Sequence, residues 1–380
     1  MMLVNVADAR QAARRRLPKI FFDYIDGGAA SEATLRANEA DFARWRLEQS
    51  VLTGITAPDL STDYLGARRA LPFMLGPVGF LGLYAGNGEV LAARAAAAAN
   101  IPFCLSSFSV ASISRVAREA LGESMFQLYV LKDRSLGAEM LRAAREAGVE
   151  TIFLTVDCAI TAMRERDLRN GFRALTRLTP GLLARLALHP GWCLDMLRHG
   201  MPQVEALAGH PEFGRGVLAQ AAALSSRIDQ GLSWADLAWV RENWPGRLVL
   251  KGILSAADAR EAQAMGADAI VISNHGGRQL DGAASTIAML PEIAAAVPGL
   301  ELLIDSGFRR GADIVKALGL GASGVLLGRT YAYALAAAGQ AGVARIIEAL
   351  TKEIEISLAL MGCGSIEALK AEGPRFVRPA

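Results

Sequence analysis

Short apolar runs recur along the chain at residues 71–77, 101–106, 125–130, 151–157, 247–251, 268–273, 301–306 and 323–328. Most are followed by stretches rich in Ala, Leu, Glu and Arg that repeat with the period of an amphipathic helix, as at 88–99, 134–147, 256–265 and 311–319. Near-continuous apolar runs of this length are what parallel strands covered by helices look like. Eight strand-then-helix units predict an α/β fold, a (β/α)8 TIM barrel forming one domain over residues 1–380. The strands are spaced as βα units require, except between the fourth and fifth, which begin at Thr151 and Arg247. Residues 165–230 therefore read as an insertion. Ahead of the barrel, Val6 to Arg16 predicts a helix, followed by the segment Phe21 to Gly28 and a helical stretch to Asp41, together an N-terminal helical appendage. Gly339 to Met361 predicts a helix or two closing the last unit, and no repeat longer than the βα unit is visible.

The polar residues inside these runs gather at their C-terminal ends: Ser106 and Ser107, Gln127 and Tyr129, Thr155 and Asp157, Lys251, Ser273 to His275, Asp305 with Ser306, and Arg329. A barrel brings its βα loops together on that face, so the rim predicts a catalytic site; loop capping alone would have marked both ends. With 52% hydrophobic and 21% charged residues in 380, the chain buries a large core and disorder is excluded. Forty Lys+Arg against 38 Asp+Glu leave a formal charge of +2, too little to hold a nucleic-acid backbone. The four cysteines lie far apart without a C-x-x-C spacing, which points away from disulfides and structural zinc and toward a reducing, cytoplasmic compartment. No signal-peptide core precedes Arg16 and no run reaches about 18 apolar residues, so neither export nor a membrane span is expected.

The segment Gly319-Leu320-Gly321-Ala322-Ser323-Gly324 matches G-x-G-x-x-G but ends a helix and precedes a strand, the reverse of a dinucleotide fingerprint. A phosphate site fits better in the loops after strands seven and eight, where Asp305 to Gly311 and Gly328-Arg329 offer backbone N–H groups, helix N-termini and guanidinium forks. Of the four histidines only His275 follows a barrel strand, which makes it the candidate general base. Asp157 is placed to orient and charge-stabilise its imidazolium. Arg278, and Arg164 unless it is merely solvated, suit a bidentate clamp on a substrate carboxylate. Lys251, one of six lysines beside 34 arginines, suits stabilisation of an anionic cofactor. Tyr24 and Tyr129 are candidate hydroxyl donors, although Tyr24 equally suits helix packing. His189, His199 and His210 fall in the insertion and read as surface or packing residues.

Ser273-Asn274-His275-Gly276-Gly277-Arg278-Gln279-Leu280-Asp281, with Phe126-Gln127-Leu128-Tyr129, Thr155-Val156-Asp157 and Asp305-Ser306-Gly307, resembles the FMN-dependent L-2-hydroxy acid dehydrogenase/oxidase family over essentially the whole chain. Within it, Gly76 to Gly79 and the tail from Tyr333 to Leu369 are similar to quinone-linked L-lactate dehydrogenases, and Arg164 to Leu168 with His199 to Gln203 to (S)-mandelate dehydrogenase. The resemblance implies FMN across the barrel mouth. Its phosphate would rest on Gly307, Arg309, Gly328 and Arg329, and its ring edge near Pro77, Val78, Gly79, Ser106, Gln127, Thr155 and Lys251, with Ser273 and Asp305 also at the cofactor. Tyr24, Phe108, Tyr129, Arg164, His275 and Arg278 would surround a 2-hydroxy acid. His275 would take a proton from C2 or from the hydroxyl while FMN is reduced. Phe108 stands where the mandelate enzyme has a small residue and short-chain oxidases an aromatic, which argues against a bulky aromatic substrate. Gly79 stands where oxidases carry alanine, so oxygen is expected to be a poor acceptor and a quinone a good one. An H2O2-forming oxidase and a flavin-less scaffold remain the other readings. The resemblance also implies a homo-oligomer, a tetramer.

From Leu168 to Leu194 no acidic residue occurs, while Arg169, Arg173, Arg177 and Arg185 alternate with Phe172, Leu175, Leu178, Leu182, Leu183, Leu186, Leu188 and Trp192. Such a segment suits the headgroup layer of an anionic membrane. It equally suits a lid over the site. The related enzymes are membrane-associated through this region, so a peripheral position on the cytoplasmic face of the inner membrane is expected.

Overall fold

Eight strands close into a parallel barrel: β1 (Phe73–Leu75), β2 (Phe103–Ser106), β3 (Ser124–Leu128), β4 (Thr151–Thr155), β5 (Arg247–Ile253), β6 (Ala269–Ile272), β7 (Glu301–Ile304) and β8 (Gly324–Leu327). One falls within or overlaps each predicted run, and β8 closes on β1 through the register Val325↔Phe73. The computed structural model describes residues 3–172, 180–200 and 202–380. Side chains alternate along each strand, so Met74, Cys104, Met125, Phe153, Val249, Val271, Leu303 and Leu326 fill the barrel interior. The residues between them, such as Phe73, Leu75, Ile152, Leu154, Ile270 and Ile272, face the surrounding helices. A hairpin of Thr62–Tyr64 and Ala67–Arg69 plugs the N-terminal end. There the Tyr64 hydroxyl donates to the Phe73 carbonyl (3.0 Å), Leu65 N donates to Glu301 (2.7 Å) and Arg247 donates to the Leu65 carbonyl (2.7 Å).

The N-terminal helical appendage packs on the barrel, and through Tyr24 and Ile25 it also walls the cavity at the C-terminal mouth. Helix Val6–Arg16, capped by the Asn5 side chain, lies along helix Arg329–Met361, which breaks at Ala338 and Gly339. Helices Lys19–Asp26 and Ala33–Ala40 are fastened over the loop after β6. Asp281 accepts from Ser31 N and Thr34 N, both 2.9 Å. Asn38 and Asn274 exchange buried amide hydrogen bonds of 2.8 and 2.7 Å. Asp26 takes Arg10, Arg166 and the Tyr333 hydroxyl together; burial works against its charge, yet these donors hold its carboxyl well below the usual range.

The insertion after β4 carries helices Glu165–Asn170, Pro180–Ala187, Pro190–His199 and Val217–Arg227. Two residues expected to face lipid point into the fold instead. Phe172 is buried against the Tyr24 ring at 4.4 Å, and Trp192 is buried near Phe21, its indole N–H donating to the Leu83 carbonyl (2.8 Å). Apolar surface at these two positions is used by the body of the protein, a direction that an apolar-basic alternation does not encode. Helix Pro180–Ala187 buries none of its residues, and Leu183, Leu188, Leu194 and Leu197 are exposed. Arg173, Leu175, Arg177 and Leu178 lie outside the described residues. Among the described residues no helix is long and apolar enough to cross a membrane.

Candidate active site

A cavity of about 470 Å³ opens at the C-terminal ends of the strands. Pro77, Val78, Gly79, Ser106, Gln127, Thr155, Lys251, Asp305, Gly307, Arg309, Gly328 and Arg329 line it, and so do Tyr24, Phe108, Tyr129, Arg164, His275 and Arg278. Two residues singled out from the sequence, Asp157 and Ser273, stand behind this lining.

His275 is delivered by a tight turn. It has a left-handed φ of 58°, as do Gly276 (67°) and Gly277 (71°), and a Cβ on Gly277 would come within 2.5 Å of Leu35 N. Ser273 accepts a hydrogen bond from His275 N (3.0 Å), which fixes the ring's approach. Nδ1 faces the Asp157 carboxylate at 3.0 Å and Nε2 faces the Tyr129 hydroxyl at 3.4 Å. Burial pushes the His275 pKa below its ordinary value, with Asp157 opposing part of that shift. Burial also penalises the Asp157 carboxylate, but His275 and Lys251 outweigh it and keep the group ionised. A carboxylate only accepts, so Nδ1 carries the proton and Nε2 presents a lone pair to the cavity. Cys158, which sequence reasoning passed over, lies beside the pair, and Gln279 donates to the Asp157 and Ile160 carbonyls (2.7 and 3.0 Å), locking the loops after β4 and β6 together. The signal for Cys158 was its place directly after Asp157 at a strand end; Gln279 lay inside the quoted motif without a role.

The Arg278 guanidinium lies 4.8 Å above the Tyr24 ring and donates to the Tyr24 and Gly27 carbonyls (2.5 and 2.9 Å). Arg164 donates to the Arg278 carbonyl at 3.3 Å. Phe108 rests against Tyr129 (4.8 Å) and Phe80 (5.9 Å), so one wall of this half is aromatic. Tyr24 thus both packs on Phe172 and borders the cavity.

The other half is polar. Ser106 donates to Gln127 and Gln127 to Thr155, both at 2.9 Å, across the ends of β2, β3 and β4. The Lys251 ammonium is held between Asp305 (2.9 Å) and Ser273 (3.1 Å); burial disfavours its charge, but Asp305 and Asp157 raise its pKa above the ordinary lysine value. Ser273 is therefore a support for Lys251 and His275 and does not itself line the cavity. Arg329 donates to the carbonyls of Ile25, Gly276 and Gly27, each at 2.8 Å, and burial lowers its pKa to about 10. A buried guanidinium among carbonyls is a cation suited to an anion. Gly307, with φ 89°, comes so near Asn38 that a Cβ would sit 2.0 Å from its carbonyl oxygen. The donor row, the buried cations and the glycine backbone suit FMN; Arg329, Arg309, Gly307 and Gly328 would hold its phosphate, and Gln127, Thr155 and Lys251 would meet its polar ring edge. The segment 319–324 runs from a helix C-terminus into β8, as its order predicted.

The model of the FMN-dependent dehydrogenase family matches residues 13–375. An L-lactate dehydrogenase of Serratia proteamaculans is 45% identical over 377 residues, covering 98% of each chain. A crystal structure of (S)-mandelate dehydrogenase, a monotopic membrane protein, superposes with a TM-score of 0.94 at 40% identity over all of both chains. A soluble mutant of the membrane-associated (S)-mandelate dehydrogenase from Pseudomonas putida superposes at 0.85 with 38% identity, again over all of both chains. With a barrel of this topology and a family match running nearly end to end, this chain belongs to the FMN-dependent dehydrogenases and is a flavin-dependent oxidoreductase.

Proposed function

We propose that the chain oxidises an L-2-hydroxy acid to its 2-oxo acid and passes the electrons to a quinone or another acceptor than oxygen. The observation that carries this reading is the single cavity in which the lone pair of His275, the Arg278 guanidinium and the cofactor-fitting polar half meet. Bound FMN supplies the two-electron acceptor. Arg278 and Arg164 grip the substrate carboxylate, with Tyr24 and Tyr129 donating their hydroxyls. The grip turns the C2 carbon and its hydroxyl toward His275 Nε2, which takes a proton, and Asp157 stabilises the imidazolium so formed. Lys251 holds positive charge beside the cofactor edge where negative charge develops.

The cavity is also lined by Leu218, Ala221, Ala222 and Ile228, with Ser225, Ser226 and Gln230 beside them, a wall that supports a substrate side chain larger than the methyl of lactate. At Gly79 a Cβ would lie 3.3 Å from the Phe108 Cβ, so an alanine there would press on Phe108. The insertion divides its work: Phe172 and helix Val217–Arg227 wall the cavity as a lid, and helices Pro180–Ala187 and Pro190–His199 present exposed leucines to a lipid surface. This supports peripheral attachment to the cytoplasmic face of the inner membrane and access to a lipid-soluble acceptor; a homotetramer is part of the same reading. An anaerobic screen of flavin bleaching by (S)-mandelate, L-lactate and longer 2-hydroxy acids tests it. Bleaching by at least one is expected, and a flavin that none reduces overturns the reading. Rapid peroxide formation at air saturation assigns the chain to the oxidases instead.

A further inference from the structure

Three atoms that donate to soft metals converge beside the cavity. Asp157 Oδ1 is 3.0 Å from His275 Nδ1 and 3.2 Å from Cys158 Sγ, and Cys158 Sγ is 3.3 Å from His275 Nδ1. The same three atoms thus form a nearly equilateral triangle. Zinc bonds of about 2.0–2.1 Å to nitrogen, 2.0–2.2 Å to a carboxylate and 2.3 Å to sulfur give tetrahedral edges of about 3.4 Å, close to those of the triangle. Cys158 Sγ also lies 3.9 Å from His275 Nε2, over the ring face, so the imidazole or the Cys158 side chain turns on binding to bring the Nδ1 lone pair and the sulfur onto one ion. Cys158 lines the cavity, which supplies both an entry path and the open fourth position. Among the described residues this is the one group of three or more His, Cys, Asp or Glu side chains so arranged.

We propose that Asp157, Cys158 and His275 bind a thiophilic divalent cation such as Zn2+ and that its binding switches the enzyme off. One carboxylate and one thiolate balance the two charges of the ion, and the O, N, S donor set favours Zn2+ or Cd2+ over Mg2+ or Ca2+. Lys251 is already paired with Asp305, so its charge is partly spent elsewhere. Binding releases the Cys158 thiol proton to buffer. The His275 proton moves from Nδ1 to Nε2, because Nδ1 must give its lone pair to the metal. Nε2 then carries a hydrogen and accepts none, and Asp157 no longer faces a ring that can become an imidazolium. The substrate carboxylate clamp and the cofactor cleft are untouched.

The switch rests on the proposed role of His275 as base, whereas the site itself does not, and the test separates the two. The FMN-loaded enzyme is titrated with Cd2+ under anaerobic conditions. One equivalent per chain is expected to raise the ultraviolet thiolate-to-cadmium absorption with the visible flavin spectrum retained. Zn2+ is expected to slow flavin reduction by hydroxy acid by at least about 10²-fold, the loss typical when a general base is removed, with recovery on adding EDTA. Cys158→Ser and Cys158→Val should lose the cadmium absorption and resist Zn2+, each measured against its own metal-free rate; the near-isosteric serine guards against a packing failure. A cadmium absorption that persists in both variants overturns the site. Absorption without slowed flavin reduction overturns the switch. A flavin that no hydroxy acid reduces even without metal sinks the functional reading and leaves the cadmium result to judge the site.

Discussion

Asp157→Asn is the sharpest probe of the base, because it removes one charge and almost no volume. The carboxylate touches His275 Nδ1 at 3.0 Å, and both side chains are largely sealed, with relative exposures of 12% and 18%. Charge centres about 4 Å apart at an effective dielectric near 20 attract by about 4 kcal/mol. That attraction exists only once the ring is protonated, so it lowers the barrier, and its loss predicts flavin reduction slower by about 10³-fold. The asparagine amide can also donate to Nδ1, which would fix the wrong tautomer and deepen the defect. The pH profile moves in a defined direction. The base works when neutral, so the rate falls as pH drops through the His275 pKa, which burial already sets below the ordinary histidine value. Asp157 opposes that shift, so removing it carries the acid limb to still lower pH. Stopped-flow flavin reduction across pH reads both effects. A plateau within threefold of the parent, or an acid limb moved upward, would refute the dyad.

Arg278→Lys replaces a fork lying over the Tyr24 ring with a single ammonium, and should lower kcat/KM at least tenfold for any hydroxy acid the parent oxidises. Unchanged kinetics would move the clamp elsewhere. Gly307→Ala places a methyl 2.0 Å from the Asn38 carbonyl at a φ of 89°, so FMN retention through gel filtration should fall sharply together with Tm; a yellow protein of parental Tm would contradict the cleft assignment. Leu188→Glu with Leu197→Glu removes two leucines that are 78% and 81% exposed and should weaken sedimentation with anionic vesicles by more than about a hundredfold, since burying each contributes about 1.5–3 kcal/mol. Flavin reduction should persist in that variant, and undiminished vesicle binding would place the contact elsewhere.

The barrel was legible because each strand is short, apolar and followed by a helix, and its mouth because Gln127, Thr155 and Lys251 lie toward strand C-termini and line the cavity, whereas Ser124, Thr151, Arg247 and Glu301 open strands at the other end. The site was legible where a residue's position at a strand end settles its direction, as for His275. It was not legible where direction depends on a partner far along the chain. Ser273 turns from the cavity because Lys251 and His275 both use its hydroxyl. Phe172 and Trp192 turn inward because Tyr24 and Leu83 wait there. The Asn38 side chain is placed by Asn274, and Asp26 by Arg10, Arg166 and Tyr333. No local period announces such pairings.

The fastening of residues 23–40 has a consequence for how the protein is made. These residues leave the ribosome early, yet Ser31 and Thr34 are held by Asp281, and the carbonyls of Ile25 and Gly27 are held by Arg329, across separations of 247–304 residues. Until the last quarter of the chain has been synthesised, Phe22, which stacks on Tyr333, and the Ile25 carbonyl, which Arg329 holds, lack their partners. Contacts of such long range form late, and both groups stay unpaired meanwhile. Nascent chains halted before Arg329 should therefore be the ones that engage chaperones, while those released beyond Met361 should not.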